Sequence, residues 1–80
     1  MSKIKTHSEQ ERLAVILREA RLDAGLRQAD VADRLQQPQS FVSKYESGER
    51  GLTLVELRHV CKAIGVPFLE VVSKFEGKQH

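Results

Sequence analysis

The segment Pro38 to Arg50, PQSFVSKYESGER, concentrates side chains that can trade hydrogen bonds with a partner. Gln39 offers a donor and an acceptor side by side, Ser40 and Ser43 can act as either, and Lys44 adds a point charge. On a helical wheel at about 100° per residue these four fall on one side. Phe41, Val42, Tyr45 and Glu46 fall on the other. The polar side has the repertoire that reads base edges in a DNA major groove: glutamine pairs with adenine, serine donates or accepts, and lysine reaches guanine or a phosphate. The bland alternative is an ordinary solvated helix face. Catalysis by the serines has no support, because no histidine base and no G-x-S-x-G turn accompanies them. His59 and Cys61 lie two apart on one helix and so point to different faces, which argues against zinc, and Cys61 falls in an apolar series instead. No enzymatic activity, metal or cofactor is expected.

A reading face needs elements to hold it, and the spacing of apolar residues is helical nearly throughout. Ser8-x-x-Glu11 has the pattern of a capping box and predicts a first helix from Ser8, with Leu13, Ile16, Leu17, Ala20 and Ala24 inward and Gly25 as its stop. A short second helix covers roughly Gln28 to Leu35, with Ala29, Val31, Ala32 and Leu35 inward. Pro38 opens the third, since its fixed φ suits a first turn, and Gly48 closes it. Thr53-x-x-Glu56 is a second capping box, starting a fourth helix with Leu54, Leu57, Val60, Cys61 and Ile64 inside and Gly65 at its end. Pro67 begins a fifth, PFLEVVSKF. The expected domain therefore runs over residues 8–75, between a tail at 1–7 and a frayed end at 76–80.

Eighty residues make one small all-α domain, whose core supplies on the order of 3–5 kcal/mol net. The chain is 40% hydrophobic and 30% charged, which suits a soluble globular protein. Its longest apolar run, Leu13 to Leu17, is far too short to span a bilayer, and MSKIKTHSEQ lacks the apolar stretch of a secretory signal. The lone Cys61 fits a reducing cytoplasm. Thirteen basic against eleven acidic residues leave a net charge of only +2, so the distribution of charge matters more than its sum.

Only about three residues separate the second and third helices, the connection of a helix-turn-helix. The stretch LRQADVADRLQQPQSFVSKYESGER, with Arg21, Gly25, Leu26, Gln28, Ala32, Ser43, Glu46 and Gly48 at matching spacing, resembles the Cro/C1-type, Xre-like family of transcriptional regulators. The likeness extends from about Leu13 to Leu69. It implies a compact five-helix, lambda-repressor-like DNA-binding domain. It also implies that Gln28 donates to a phosphate and braces the third helix. Gln39, Ser40, Ser43 and Lys44 would face bases or the adjoining backbone, and Arg21 and Glu46 would form an ion pair between the first and third helices. Arg27 stands where the family favours a Ser or Thr cap and brings a cation beside the phosphates. Gln36 replaces the common turn glycine, at a cost if that position is left-handed. Arg27 and Arg50 flank the reading helix as phosphate clamps. Phe41 either packs beside Tyr45 at i+4 or touches a thymine methyl.

On the fifth helix Phe68, Val71, Val72 and Phe75 form an apolar stripe that Leu69 extends. Such a stripe closes the core or, where one core cannot cover it, forms a homodimer through helices four and five. Two reading helices about 34 Å apart then imply a roughly palindromic operator. The expected function is sequence-specific binding of double-stranded DNA by a cytoplasmic regulator with no small-molecule ligand. The alternative is a protein-interaction module that keeps the fold without reading DNA, which Glu49 and the modest net charge favour and the Gln/Ser/Lys face opposes.

Overall fold

The computed structural model describes residues 7–77, so the tail lysines Lys3 and Lys5 and the last three residues lie outside it. Five helices follow one another with short turns: α1 His7–Asp23, α2 Gln28–Leu35, α3 Gln39–Glu46, α4 Leu54–Ile64 and α5 Phe68–Glu76. Helix α2 packs on α3 and α4, while α1 runs against α3, α4 and α5. Their shared interior holds Leu17, Val31, Val42, Val60, Cys61 and Val71, all fully buried. Each aliphatic side chain so buried contributes about 1.5–3 kcal/mol. Burial also pushes the Cys61 thiol pKa up, which leaves it an inert core group.

The helix starts show which local signals the chain obeys. Thr53 caps α4 as its sequence predicts: its hydroxyl accepts from the Glu56 N–H at 3.1 Å, and the Glu56 carboxylate accepts from the Thr53 N–H at 2.9 Å. Ser8 does not cap α1, because His7 is already helical and a capping hydroxyl needs extended backbone at its own residue. Pro38 sits just outside α3 as its N-cap, at φ −64° and ψ 153°. At the far end Glu76 remains helical, one residue beyond the expected stop, and Gly77 turns left-handed. Leu54, expected inside, is 69% exposed. It occupies the first turn of α4, where side chains lean towards the helix N-terminus and so past the edge of the core.

Two turns fix where α3 lies. Helix α2 ends with Gln36 in the left-handed region at φ 56° and ψ 43°. The Gln36 N–H returns to the Asp33 carbonyl at 3.1 Å and the Gln37 N–H to the Ala32 carbonyl at 3.0 Å, closing a Schellman turn without glycine. Gly48, after α3, has φ 80°, and a Cβ built there would stand 3.1 Å from Glu11 Cγ. That close approach sets the distance between the end of α3 and the start of α1. Polar ties finish the frame. Arg34 donates to the Ala63 carbonyl at 2.8 Å across α2 and α4, and Arg12 donates to the Phe75 carbonyl across α1 and α5.

Because an L-residue pays for the left-handed region, Gln36→Gly is expected to raise the unfolding free energy by about 0.5–1 kcal/mol. Urea denaturation checks this, and an unchanged or lower midpoint means that the turn carries no strain.

Candidate nucleic-acid interface

Helix α3 divides as its sequence implies. Val42 and Tyr45 are buried, whereas Gln39, Ser40, Ser43 and Lys44 are all exposed along one side. The buried side is anchored by charge as well as by packing. Arg21 Nε and Nη2 donate to the two Glu46 carboxylate oxygens at 2.6 and 3.0 Å, and Nη1 donates to the Leu26 carbonyl at 2.8 Å. Only 8% of the Arg21 side chain and 3% of Glu46 meet solvent. The hydrogen bonds to Glu46 outweigh desolvation and hold the Arg21 pKa above its ordinary value, so the guanidinium keeps its charge despite burial. Tyr45 lies beside it with its hydroxyl buried and without a protein partner among the described residues, and burial pushes its phenol pKa up.

The ion pair extends outward to the exposed face of α3. Gln28 Nε2 donates to Glu46 Oε1 at 3.0 Å, and Gln39 Nε2 donates to Gln28 Oε1 at 3.2 Å. Charge sets the polarity of this relay, because a carboxylate only accepts, so the Gln28 amide must turn its NH₂ group inward and its oxygen towards Gln39. Gln39 keeps its own oxygen and one N–H without a partner among the described residues. That adjacent acceptor and donor is the arrangement that fits adenine. Gln28 likewise keeps one N–H beside the start of α2, where a backbone phosphate is best accommodated.

The flanking cations are less free than the sequence suggests. Arg27 sits at the N-cap of α2 and pairs with Asp30, Nη2 to Oδ1 at 2.8 Å and Nε to Oδ2 at 3.2 Å. Asp30 Oδ2 also accepts from the Arg27 backbone N–H at 2.8 Å. Arginine has no acceptor to return, so only half of a capping box forms. Arg27 is still 80% exposed in its side chain and remains accessible to a phosphate. Arg50 is bound more fully: Nη1 and Nη2 grip the Glu56 carboxylate at 3.1 and 2.8 Å, and Nη1 also donates to the Gly51 carbonyl at 2.9 Å. Phe41 packs. Its ring meets Tyr45 edge-on at 5.7 Å between centroids, and the Arg50 guanidinium lies over it at 4.7 Å.

Sequence reasoning missed Asp30 and Glu56 as the partners of these arginines. Asp30 is legible as an opposite charge at i+3 from Arg27. The α5 stripe also needs correction, since Val71 is 1% exposed and belongs to the core of a single chain. Phe68 packs partly against that core, Val72 is half-buried, and Phe75 takes Arg12 over its ring at 5.1 Å. The apolar surface that stays open on α4 and α5 is Leu54, Val55 and Leu69, at 69%, 64% and 75% exposure.

A helix-turn-helix with a polar outer face on its second helix defines a class of DNA reader. The helix-turn-helix family profile matches residues 17–71. The fold is similar to that of an XRE-family-like protein from Pseudomonas syringae pv. tomato, at 40% identity over 91% of this chain and 89% of that one, with a TM-score of 0.82. It is also similar to the clp gene regulator ClgR from C. glutamicum, at 25% identity over 90% and 94% of the two chains and a TM-score of 0.80. The restriction-modification controller C.AhdI from Aeromonas hydrophila matches at 25% identity over 85% and 99%, with a TM-score of 0.79. No curated protein matches significantly by sequence. The chain belongs to the Cro/C1-type, Xre-like helix-turn-helix family of transcriptional regulators.

Two outcomes test the electrostatics. Glu46→Ala strands a buried guanidinium and is expected to lower stability by about 3–5 kcal/mol, whereas the paired change Arg21→Met with Glu46→Leu costs less than Glu46→Ala alone in urea denaturation. The second outcome concerns acid and two further carboxylates, Asp30 and Glu56. Arg27 holds Asp30 at about 2, down from 3.8, and Arg50 with the Thr53 N–H holds Glu56 at about 2, down from 4.5. Both folded values are depressed, so the stability they add is complete above the unfolded values and is lost as the pH falls from there towards about 2. Circular dichroism across that range is expected to show the loss, and to show it moved or reduced in Asp30→Asn with Glu56→Gln.

Proposed function

We propose that this chain is a sequence-specific regulator of transcription that lays the outer face of α3 in the major groove of double-stranded DNA. The observation that carries this reading is the relay from Arg21 through Glu46 and Gln28 to Gln39, which presents a free acceptor and donor pair at the head of α3. Ser40, Ser43 and Lys44 continue the same exposed face and contact bases or the adjoining backbone. Arg27 and Gln28 meet the phosphates at the start of α2. The matched ClgR is named a regulator of a clp gene and C.AhdI a controller of restriction-modification, which supports a regulatory role here.

The working unit in this proposal is a homodimer on a roughly palindromic operator. Leu69 and Val72 of α5, with Leu54 and Val55 of α4, supply the apolar surface for it, in place of the buried Val71. The chain acts in the cytoplasm, on chromosomal or other intracellular DNA, and no described helix is long and apolar enough to cross a membrane.

Selection from a random duplex pool, followed by binding to the winner across a salt series, tests the reading. An inverted repeat is expected, with affinity that falls steeply as salt rises. Gln39→Ala is expected to relax preference at one base position at a cost of about 1–3 kcal/mol. Arg27→Ala weakens all sequences alike and lowers the salt slope by about 0.9. No enriched sequence, or equal losses for both variants on every sequence, overturns the assignment.

A further inference from the structure

Of the two arginines that flank α3, Arg50 is the one whose surroundings less suit a phosphate clamp. Three of its five N–H groups are committed, two to Glu56 and one to the Gly51 carbonyl. Glu56 is itself fixed, because its Oε1 also takes the Thr53 N–H at the head of α4. The guanidinium plane thus joins the start of α4 to the Phe41 ring of α3, 4.7 Å away. Phe41 needs such a hold. With Leu35, His59, Arg50 and Glu56 it walls an open cavity of about 230 Å³, so packing confines the ring on the Tyr45 side and leaves it room on the other. Phe41 lies between Ser40 and the inward Val42 on the short helix that carries the reading face. The contacts that hold this ring are therefore contacts that hold α3 itself against the head of α4.

We infer that Arg50 is a positioning residue: its guanidinium braces the recognition helix against the head of α4 through Phe41 and Glu56, and so sets base preference without touching DNA. The inference rests on the DNA-reading function proposed above and goes beyond it by naming a residue that determines specificity from outside the contact surface. Lysine cannot do this work. An ammonium has neither the planar fork that grips both Glu56 oxygens nor a flat face to lie on the Phe41 ring.

The test compares wild type, Arg50→Ala, Arg50→Lys, Glu56→Gln and the double variant Arg50→Ala/Glu56→Gln on the selected operator and on an unrelated duplex, each over a salt series. Each single variant is expected to lower the ratio of operator to unrelated binding by about tenfold, the scale of one degraded base contact. The salt slope and the affinity for the unrelated duplex stay as in wild type, lysine does not rescue, and the double variant is no worse than either single one. A phosphate contact gives the opposite pattern: Arg50→Ala lowers the salt slope by about 0.9 on both duplexes, Arg50→Lys restores it, and Glu56→Gln strengthens binding by freeing the arginine. That pattern overturns the inference, as does a fall in melting temperature with the operator ratio unchanged. The DNA-free protein gives a separate readout. Amide resonances of residues 39–44 are expected to shift in Glu56→Gln, and their failure to move refutes the brace whether or not DNA is read.

Discussion

The placement of α3 and of its exposed face depends on one buried ion pair. Arg21 is a single guanidinium with three acceptor oxygens around it, two from Glu46 and one from Leu26, so two other parts of the fold meet this cation of α1. The Leu26 carbonyl lies in the turn after α1, and Glu46 closes α3. Glu46 in turn receives Gln28 from the head of α2. Helices α1, α2 and α3 and the turn after α1 therefore converge on one ion pair whose planar geometry allows little angular play. Desolvation offsets much of the Coulomb gain of such a pair, so its contribution is orientation more than net stability. The same charge dictates which way the Gln28 amide faces, and through it the Gln39 amide at the surface.

How the domain approaches a polyanion with a net charge of only +2 follows from where its cations sit. Arg27 and Arg50 each rest on a nearby carboxylate, and Arg34 and Arg12 tie helix ends together. Arginine here is largely a structural reagent, used for its fork of donors. Charge given over to internal bonds is charge withheld from indiscriminate attraction, which favours discrimination among sequences over tight binding to any of them.

Much of this was legible in the chain. The number of helices, their glycine stops and the Thr53 cap depend on partners within a few residues, and spacing reveals them, whereas the left-handed Gln36 was signalled by the glycine that the family carries at that turn. The two faces of α3 followed from the wheel for the same reason. Other features depend on what lies across the fold. Arg21 and Glu46 stand 25 residues apart, and only the family resemblance linked them. Hydrophobicity marked Leu54 and Val71 as apolar, but which neighbour covers each face decided that one is exposed and the other enclosed. Glu56 was hidden by its evident role as a cap, since a carboxylate oxygen can take a second donor, and Oε1 does. Ser8 matched a capping pattern that the backbone does not use, because a pattern of side chains says nothing of where the helix began.

The outward residues of α3 bear almost none of the weight of the fold. Ser40, Ser43 and Lys44 are exposed, and the distance of their helix from α1 is fixed by backbone at Gly48 and by charge at Glu46. Only Gln39 is tied inward. Drift at the three loose positions can therefore proceed without a toll on folding, and on the proposed reading it is there that a descendant of this chain acquires a new target while keeping its shape. The architecture separates what must be inherited from what is free to diverge.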